Sequence, residues 1–441
     1  MRNVLVSTLV FLLLPLMATA LSPEDTAAWK SDLGILRATY AEQERSFTPE
    51  TRAAFVERID ELERALPTLN HYEAVNAVLA AVALSDNGHC MVMLPRSDKG
   101  YWRLPVGLWW FADGLFVTRT KPEHKELLGK RVTAIGGVAP EELLSRLGAL
   151  VPGTAEWKRY HSQRLMITPG ILHGLGLSAS PESATITCDG NGTPVSAEIT
   201  AQPAPGLLEG QEFWWTLSPV AECADGPWLY AFDRKKSKVP LYLAQPNLAF
   251  TWEFLKKDRA LYVQYNRSIP QRGLWPVKTI DALVKDIEKQ KIERLIVDLR
   301  MNNGGNYYKM RGGFDDLLAV EAFKKPGSVY VLTGNGTFSA AIFHTAQFKL
   351  AGATLVGEPI GDRLDFWAEG DMVALPGSGL EIVANKGFHS YSRTPHPEHA
   401  EHLHTDLDVE SLDPDIPASM SFAQYLAGED PLLDAALAAK P

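Results

Sequence analysis

Two stretches decide how this chain is read: Glu293-Arg-Leu-Ile-Val-Asp-Leu-Arg-Met-Asn-Asn-Gly-Gly305 and Ser328-Val-Tyr-Val-Leu-Thr-Gly-Asn-Gly-Thr-Phe-Ser339. Each begins as a short apolar run rich in β-branched residues and halts at glycine, the pattern of a buried strand that runs into a loop. The first strand ends at Asp298-Leu299-Arg300, just ahead of Gly304 and Gly305; the second turns at Gly336-Thr337-Phe338-Ser339 into a helix. A hydroxyl at a helix start beside a glycine loop is the setting that acyl transfer by a serine nucleophile needs. Taken alone, such a serine more often just caps its helix.

Working outward, strand and helix alternate from about Leu241 onwards. Residues 260–266 read as a strand, 277–289 as an amphipathic helix, 339–349 as a helix and 354–357 as another strand, so βαβ units and a largely parallel sheet are predicted. Upstream, glycine-bounded runs at 106–111, 114–118 and 131–137 read as strands, followed by a helix over 140–147. A hairpin joins 184–188 to 195–200 through Asp189-Gly-Asn-Gly192. Residues 21–95 are rich in Ala, Leu and Glu with helical spacing at Phe55, Ile59, Leu62 and Leu66, and end in the loop Ser85-Asp-Asn-Gly-His89.

The protein has 441 residues and a net charge of −10, without a Lys/Arg block, which argues against nucleic acid and anionic membrane as partners. Arg2, an apolar run to Met17 and Ala18-Thr-Ala20 read as a cleavable export signal over 1–20, so a secreted or periplasmic product is expected. No later run reaches the roughly 18 apolar residues of a membrane helix. Of three cysteines, Cys188 and Cys223 are the plausible bridge, and Cys90, in an apolar strand, reads as buried.

With these residues in view, the sequence resembles the carboxy-terminal processing, or tail-specific, serine proteases and their tricorn-core relatives. Leu295–Gly305 matches the "DLRxNxGG" signature, Thr337-Phe-Ser-Ala-Ala341 the nucleophile turn and Leu355-Val-Gly-Glu-Pro-Ile-Gly361 the following "vGEpTG" segment. Asp413-Pro-Asp-Ile-Pro417 and Gly428-Glu-Asp-Pro-Leu-Leu-Asp434 match the family's ending, and 127–138 looks like the middle of a PDZ-type module. The resemblance implies a mixed α/β (α+β) multidomain protein: a helical region (21–95), a PDZ-like β-rich domain (96–205), a linker (206–240) and a ClpP/crotonase-like βα catalytic core with a largely parallel sheet (241–441).

It also implies a serine peptidase with Ser339 as nucleophile and the amides of Gly304, Gly305 and Ala340 as oxyanion donors. The lysine that activates the serine in the processing branch falls here on Arg363, whose guanidinium cannot accept a proton at neutral pH. In the tricorn-like branch a histidine in an N-terminal loop serves, which points to His89; an imidazole of pKa about 6.5 suits that role. His344, rotated away along the helix from Ser339, competes poorly. The orienting acid stays open among Asp408, Glu410, Glu358 and Asp86. Asn266 and Arg300, at strand ends, are candidates for substrate contacts, although Arg300 is equally suited to pair with an acid.

The resemblance implies a peptide or protein as partner, with a chain end taken by β-addition to the PDZ-like segment. No cofactor is implied. His396, His399, His402 and His404 lie within nine residues, yet nothing marks a fixed geometry, so they read as a solvated loop and no metal site is assigned. The competing readings are a peptide-binding protein of the same fold without catalysis, and an esterase working through the same residues.

Overall fold

The computed structural model describes residues 20–95, 101–190, 192–203, 217–221, 226–269 and 276–439. The expected export signal lies outside them except for Ala20, as do Cys223 and much of the expected linker. Among the described residues no helix is long and apolar enough to cross a membrane.

The architecture is the expected mixture of helices with several sheets, one of them largely parallel. Its centre is a six-stranded sheet in the order Ile416–Pro417, Thr354–Gly357, Val329–Thr333, Arg294–Asp298, Ala260–Tyr265 and Phe250–Leu255. All neighbours are parallel except the last pair. Leu295, Val297, Val329 and Val331 pack into one hydrophobic cluster while Ile296, Tyr330, Leu332 and Val356 pack into another. Burial on both faces is why these strands read as continuous apolar runs instead of alternating ones. Helix Pro276–Gln290 packs Ile280, Leu283 and Ile287 against the first cluster, and each of these residues contributes about 1.5–3 kcal/mol on removal from water.

The amino-terminal helices are set by local signals. Thr48 and Thr51 form a reciprocal capping box with Pro49 in the first turn, starting helix Pro49–Ala65, and Phe55, Ile59 and Leu62 face inward. Asn70 and Glu73 do the same for helix His71–Val82. These helices do not close a core of their own. Phe55, Leu79 and Val82 share one cluster with Leu108, Val117 and Ile186 of the middle region and with Leu380 and Ile382 near the carboxy terminus. Strand Val92–Met93 adds antiparallel to Leu380–Ala384, pairing Val92 with Ile382. The segment that follows His71–Val82 is thereby laid across the carboxy-terminal half, and this brings His89 to the sheet.

The middle region contains the expected strands Val106–Phe111, Gly114–Thr120 and Val132–Ile135, helix Pro140–Gly148, and a hairpin of Ser183–Cys188 with Val195–Thr200. Cys188 is a buried free thiol; the bridge proposed for it ends on Cys223, outside the described residues. Cys90 is buried too, and burial pushes its thiol up to about 12, so it is unreactive near neutral pH.

Candidate active site

The carboxyl ends of strands Arg294–Asp298 and Val329–Thr333 open into two loops that hydrogen bonds lock together. In parallel open sheets this is the end where ligands bind. Asn302 Nδ2 donates to the Tyr265 carbonyl (2.9 Å) and its Oδ1 accepts the Gly304 amide (2.8 Å), while the Phe338 amide donates to the Asn302 carbonyl (3.0 Å). Thr337 Oγ1 donates to the Leu299 carbonyl (3.0 Å), and Asn303 Nδ2 to that of Gly336 (2.7 Å).

Ser339 sits at the amino end of helix Ala340–Leu350 with φ 54° and ψ −123°, and its hydroxyl does not cap the helix. A non-glycine residue in that conformation stores about 1–3 kcal/mol of strain that its surroundings must impose. The helix-cap reading therefore does not describe this serine. The hydroxyl stands at the amino end of the helix on the Gly304 side, where the positive end of the helix dipole favours developing negative charge. Gly304 has φ 108°, and a Cβ on it would lie 2.5 Å from Ser339 Cβ, so only glycine lets the loop come this close.

His89 arrives from the far end of the sequence. Asn87 Nδ2 donates to the Trp367 carbonyl (2.9 Å), and Arg363 Nη2 pairs with Asp86 Oδ2 (2.5 Å), clamping the histidine loop to the segment after strand Thr354–Gly357. The His89 ring, 6% exposed, is stacked between Phe338 (centroids 4.4 Å apart, 27°) and Phe366 (4.8 Å, 5°). Trp157 stacks on the outer face of Phe338 (3.7 Å, 6°) and Tyr160 on Trp157. Phe338 immediately precedes Ser339, so the stack fixes the histidine beside the strained turn.

Asp362 is the carboxylate at this histidine. Its Oδ1 accepts the Arg363 amide (2.9 Å), and its otherwise unpartnered Oδ2 lies 3.3 Å from His89 Nδ1. That contact is close but not aligned as a hydrogen bond, and His89 Nε2 is buried without a hydrogen-bonding partner. The sequence reading missed Asp362. Its one available signal is position: an acid on the loop after Gly357, two residues beyond Ile360 and next to Arg363, where the related lysine falls.

The other expected carboxylates are elsewhere. Asp408 and Glu410 are exposed and paired with Arg393 (3.1 and 3.3 Å): Asp408 lies on strand Leu403–Val409, at the edge of a different sheet, and Glu410 just beyond its end. Asp86 is held by Arg363. Glu358 lies on a small cavity lined by Arg159, Arg300, Trp110 and Gly336; burial raises its pKa, opposed by Arg159 and Arg300.

The two candidates for substrate contacts are both engaged within the fold, Arg300 in the acid pairing that was its alternative reading. Asn266 is spent within the fold, its Nδ2 donating to the Leu248 carbonyl (3.0 Å) and its Oδ1 accepting from Gln264 (2.9 Å). Arg300 grips Asp430 with two nitrogens (2.7 and 3.0 Å) and Asp298 with others, in a pocket that also holds the Tyr262 hydroxyl on Asp298. It fastens the start of helix Pro431–Ala438 to the sheet, a geometry that suits the planar guanidinium. Among the oxyanion candidates the Gly304 amide is already given to Asn302, so that glycine supplies clearance for Ser339 instead. The amides of Gly305 and Ala340 donate no hydrogen bond found among the described residues. His344 is fully buried against Tyr265 and Phe314, and burial lowers its pKa to about 4.

No protein-family model matches the sequence, and no curated protein does. Solved structures do. Mature CPAF complexed with lactacystin superposes with a TM-score of 0.57 at 12% identity, covering 94% of this chain and 98% of that one. Mature CPAF alone gives 0.53 at 12% identity, with 92% and 95% covered. The photosystem II D1 C-terminal processing protease is similar over 93% of this chain and 99% of its own at 12% identity, with a TM-score of 0.37. At such identity the likeness speaks to fold alone: over 94% of its length this protein is built like mature CPAF.

Proposed function

We propose that the protein is a serine peptidase exported from the cytoplasm by its amino-terminal signal, with Ser339 as nucleophile, His89 as general base and Asp362 as the group that orients His89. The observation that carries this reading is the meeting of a strained serine at a helix start with a buried histidine stacked on the preceding residue and flanked by a carboxylate. The sequence motifs and the CPAF-like fold support the same conclusion.

In the proposed reaction Ser339 Oγ attacks the peptide carbonyl carbon as its proton passes to His89 Nε2. The carbonyl oxygen becomes an oxyanion held by the Ala340 and Gly305 amides. Collapse breaks the carbon–nitrogen bond, and His89 returns the proton to the departing amine; water, deprotonated by His89, then releases the acyl group. Asp362 faces Nδ1, which leaves Nε2 for the serine and stabilises the imidazolium once it forms. Neither ring nitrogen meets hydrogen-bond geometry here, and contacts of this kind tighten around substrate in catalytic sites. The PDZ-like segment would present an extended peptide to this site by strand addition.

A fluorophosphonate probe tests the chemistry. It is expected to label Ser339 in the folded protein, and labelling is expected to vanish in Ser339→Ala and to fall by about 10³-fold or more in His89→Ala. No labelling of folded protein would make it a binder that keeps the fold. Labelling with ester turnover but without cleavage of any peptide in a mixed library would make it an esterase.

A further inference from the structure

Behind the aromatic stack the fold assembles a second group of chemically active side chains that the proposed reaction does not use. Strand Asp365–Ala368 pairs antiparallel with Gly387–Ser392, setting Phe366 opposite His389, and the strand Leu403–Val409 lies parallel on the other side. Pairing is irregular between Phe388 and His389, where their partners jump from Leu403 to Thr405, and the skipped residue is His404. Glu369 follows directly on Ala368 with φ 55°, a left-handed turn that brings its carboxylate to the same end of the sheet. Three residues, distant in sequence, converge: Glu369 Oε1 lies 3.4 Å from His389 Nε2 and 3.7 Å from His404 Nε2, and all three ligand atoms fall within 4.8 Å of one another.

We propose that Glu369, His389 and His404 form a binding site for a divalent transition-metal ion of the zinc class. Two imidazoles and one carboxylate are a ligand set that such ions favour, with room for water in the remaining position. Donors at about 2.1 Å around a tetrahedral ion stand about 3.4 Å apart, close to the 3.4 and 3.7 Å found between Glu369 Oε1 and the two imidazole nitrogens.

An independent observation points the same way. His389 is 3% exposed, yet its Nε2 is buried and makes no hydrogen bond, since the approach to Glu369 is poorly aligned for one. A buried imidazole nitrogen whose nearest acceptor is a poorly aligned carboxylate oxygen at 3.4 Å is under-satisfied, and a metal ion would satisfy it. His389 Nδ1 lies 3.0 Å from the Tyr391 hydroxyl, the outer contact that commonly fixes the tautomer of a metal-binding histidine.

The neighbouring group His396, Glu398 and His399 is a weaker alternative. Both ring nitrogens of His396 are already engaged, Nε2 with Asp365 (3.1 Å) and Nδ1 with Glu398 (3.2 Å).

The position gives the site a role. His389 stacks on Phe366 (4.9 Å, 10°), and Phe366 stacks on His89. An ion tying His389 to Glu369 and His404 would pin the far end of the stack that positions His89.

The test is calorimetric titration of the full-length protein, stripped with chelator, with zinc chloride. One ion per molecule is expected, with affinity reduced at least tenfold in both His404→Ala and Glu369→Gln and unchanged in His399→Ala. Both His404 and Glu369 are exposed, so the variants should fold, and circular dichroism checks that they do. No binding by the intact protein, binding unaffected by both variants, or loss of binding in His399→Ala would overturn the assignment. These outcomes do not depend on whether Ser339 is catalytic.

Discussion

The serine turn and the histidine stack meet at one place but are made in opposite ways. The turn is local: Asn302, Gly304, Thr337 and Phe338 lie in the loops that follow two neighbouring parallel strands, and hydrogen bonds lock those loops together just before Ser339. The stack gathers Tyr160, Trp157, Phe338, His89, Phe366 and His389 from five separate parts of the sequence, and face-to-face ring contact is the main thing its members share. The lesson is that the proposed nucleophile is positioned by backbone geometry, whereas the proposed base depends on side-chain packing between distant segments. Perturbing the two regions should therefore produce different symptoms.

The largest effect is expected at the carboxylate. Asp362→Asn should lower kcat/KM by about 10³–10⁴-fold with the melting temperature nearly unchanged, whereas Asp408→Asn and Glu410→Gln should leave the rate alone. Steady-state kinetics on the three variants decides which acid serves His89; equal losses at Asp408 would move the role to the outer strand. Next is the local region itself. Gly304→Ala places a Cβ 2.5 Å from Ser339 Cβ at a φ of 108°, so stability should fall by about 2–4 kcal/mol in denaturant melts, with activity lost as well.

A smaller effect separates stability from chemistry through pH. His344 has a folded pKa of about 4 against about 6.5 unfolded, so the unfolded state binds more protons between those values. Stability carried by the neutral ring is complete above about pH 6.5 and drains away as pH falls towards 4, about 2 kcal/mol by pH 5. In His344→Gln that part of the acid loss should disappear, measured as a smaller difference in unfolding free energy between pH 7 and pH 5. The smallest effect tests the stack. Phe366→Leu keeps most of the volume but removes both ring contacts, at about 1 kcal/mol. It should lower kcat about tenfold with KM little changed; a rise in KM alone would mean the stack shapes the substrate site instead of holding His89.

How much could be read beforehand follows the same division. The strands 294–298 and 329–333, their loops and the helix beyond Ser339 were legible because burial on both faces forces continuous apolar runs and tight turns force glycine. Asp362 was not, because nothing in its neighbours says which of several carboxylates will face an imidazole as remote in sequence as His89. Arg300 and Asn266 looked like substrate contacts since both end strands near the site. Their actual partners, Asp430 and the Leu248 carbonyl, are fixed only when the carboxy-terminal helix and the loop before strand Phe250–Leu255 pack down.

By itself, then, the sequence determined the alternation of strand and helix, the glycine clearances and the serine at its helix start, all of which rest on interactions within a few residues or between adjacent strands. Tertiary structure alone decided which carboxylate and which aromatic rings gather around His89, the histidine to which the resemblance points, and brought Glu369 and His389 to His404. Such groups are selected by packing of surfaces far apart in the sequence, and the energy of a ring stack or an ion pair depends on distance and orientation that local sequence does not encode.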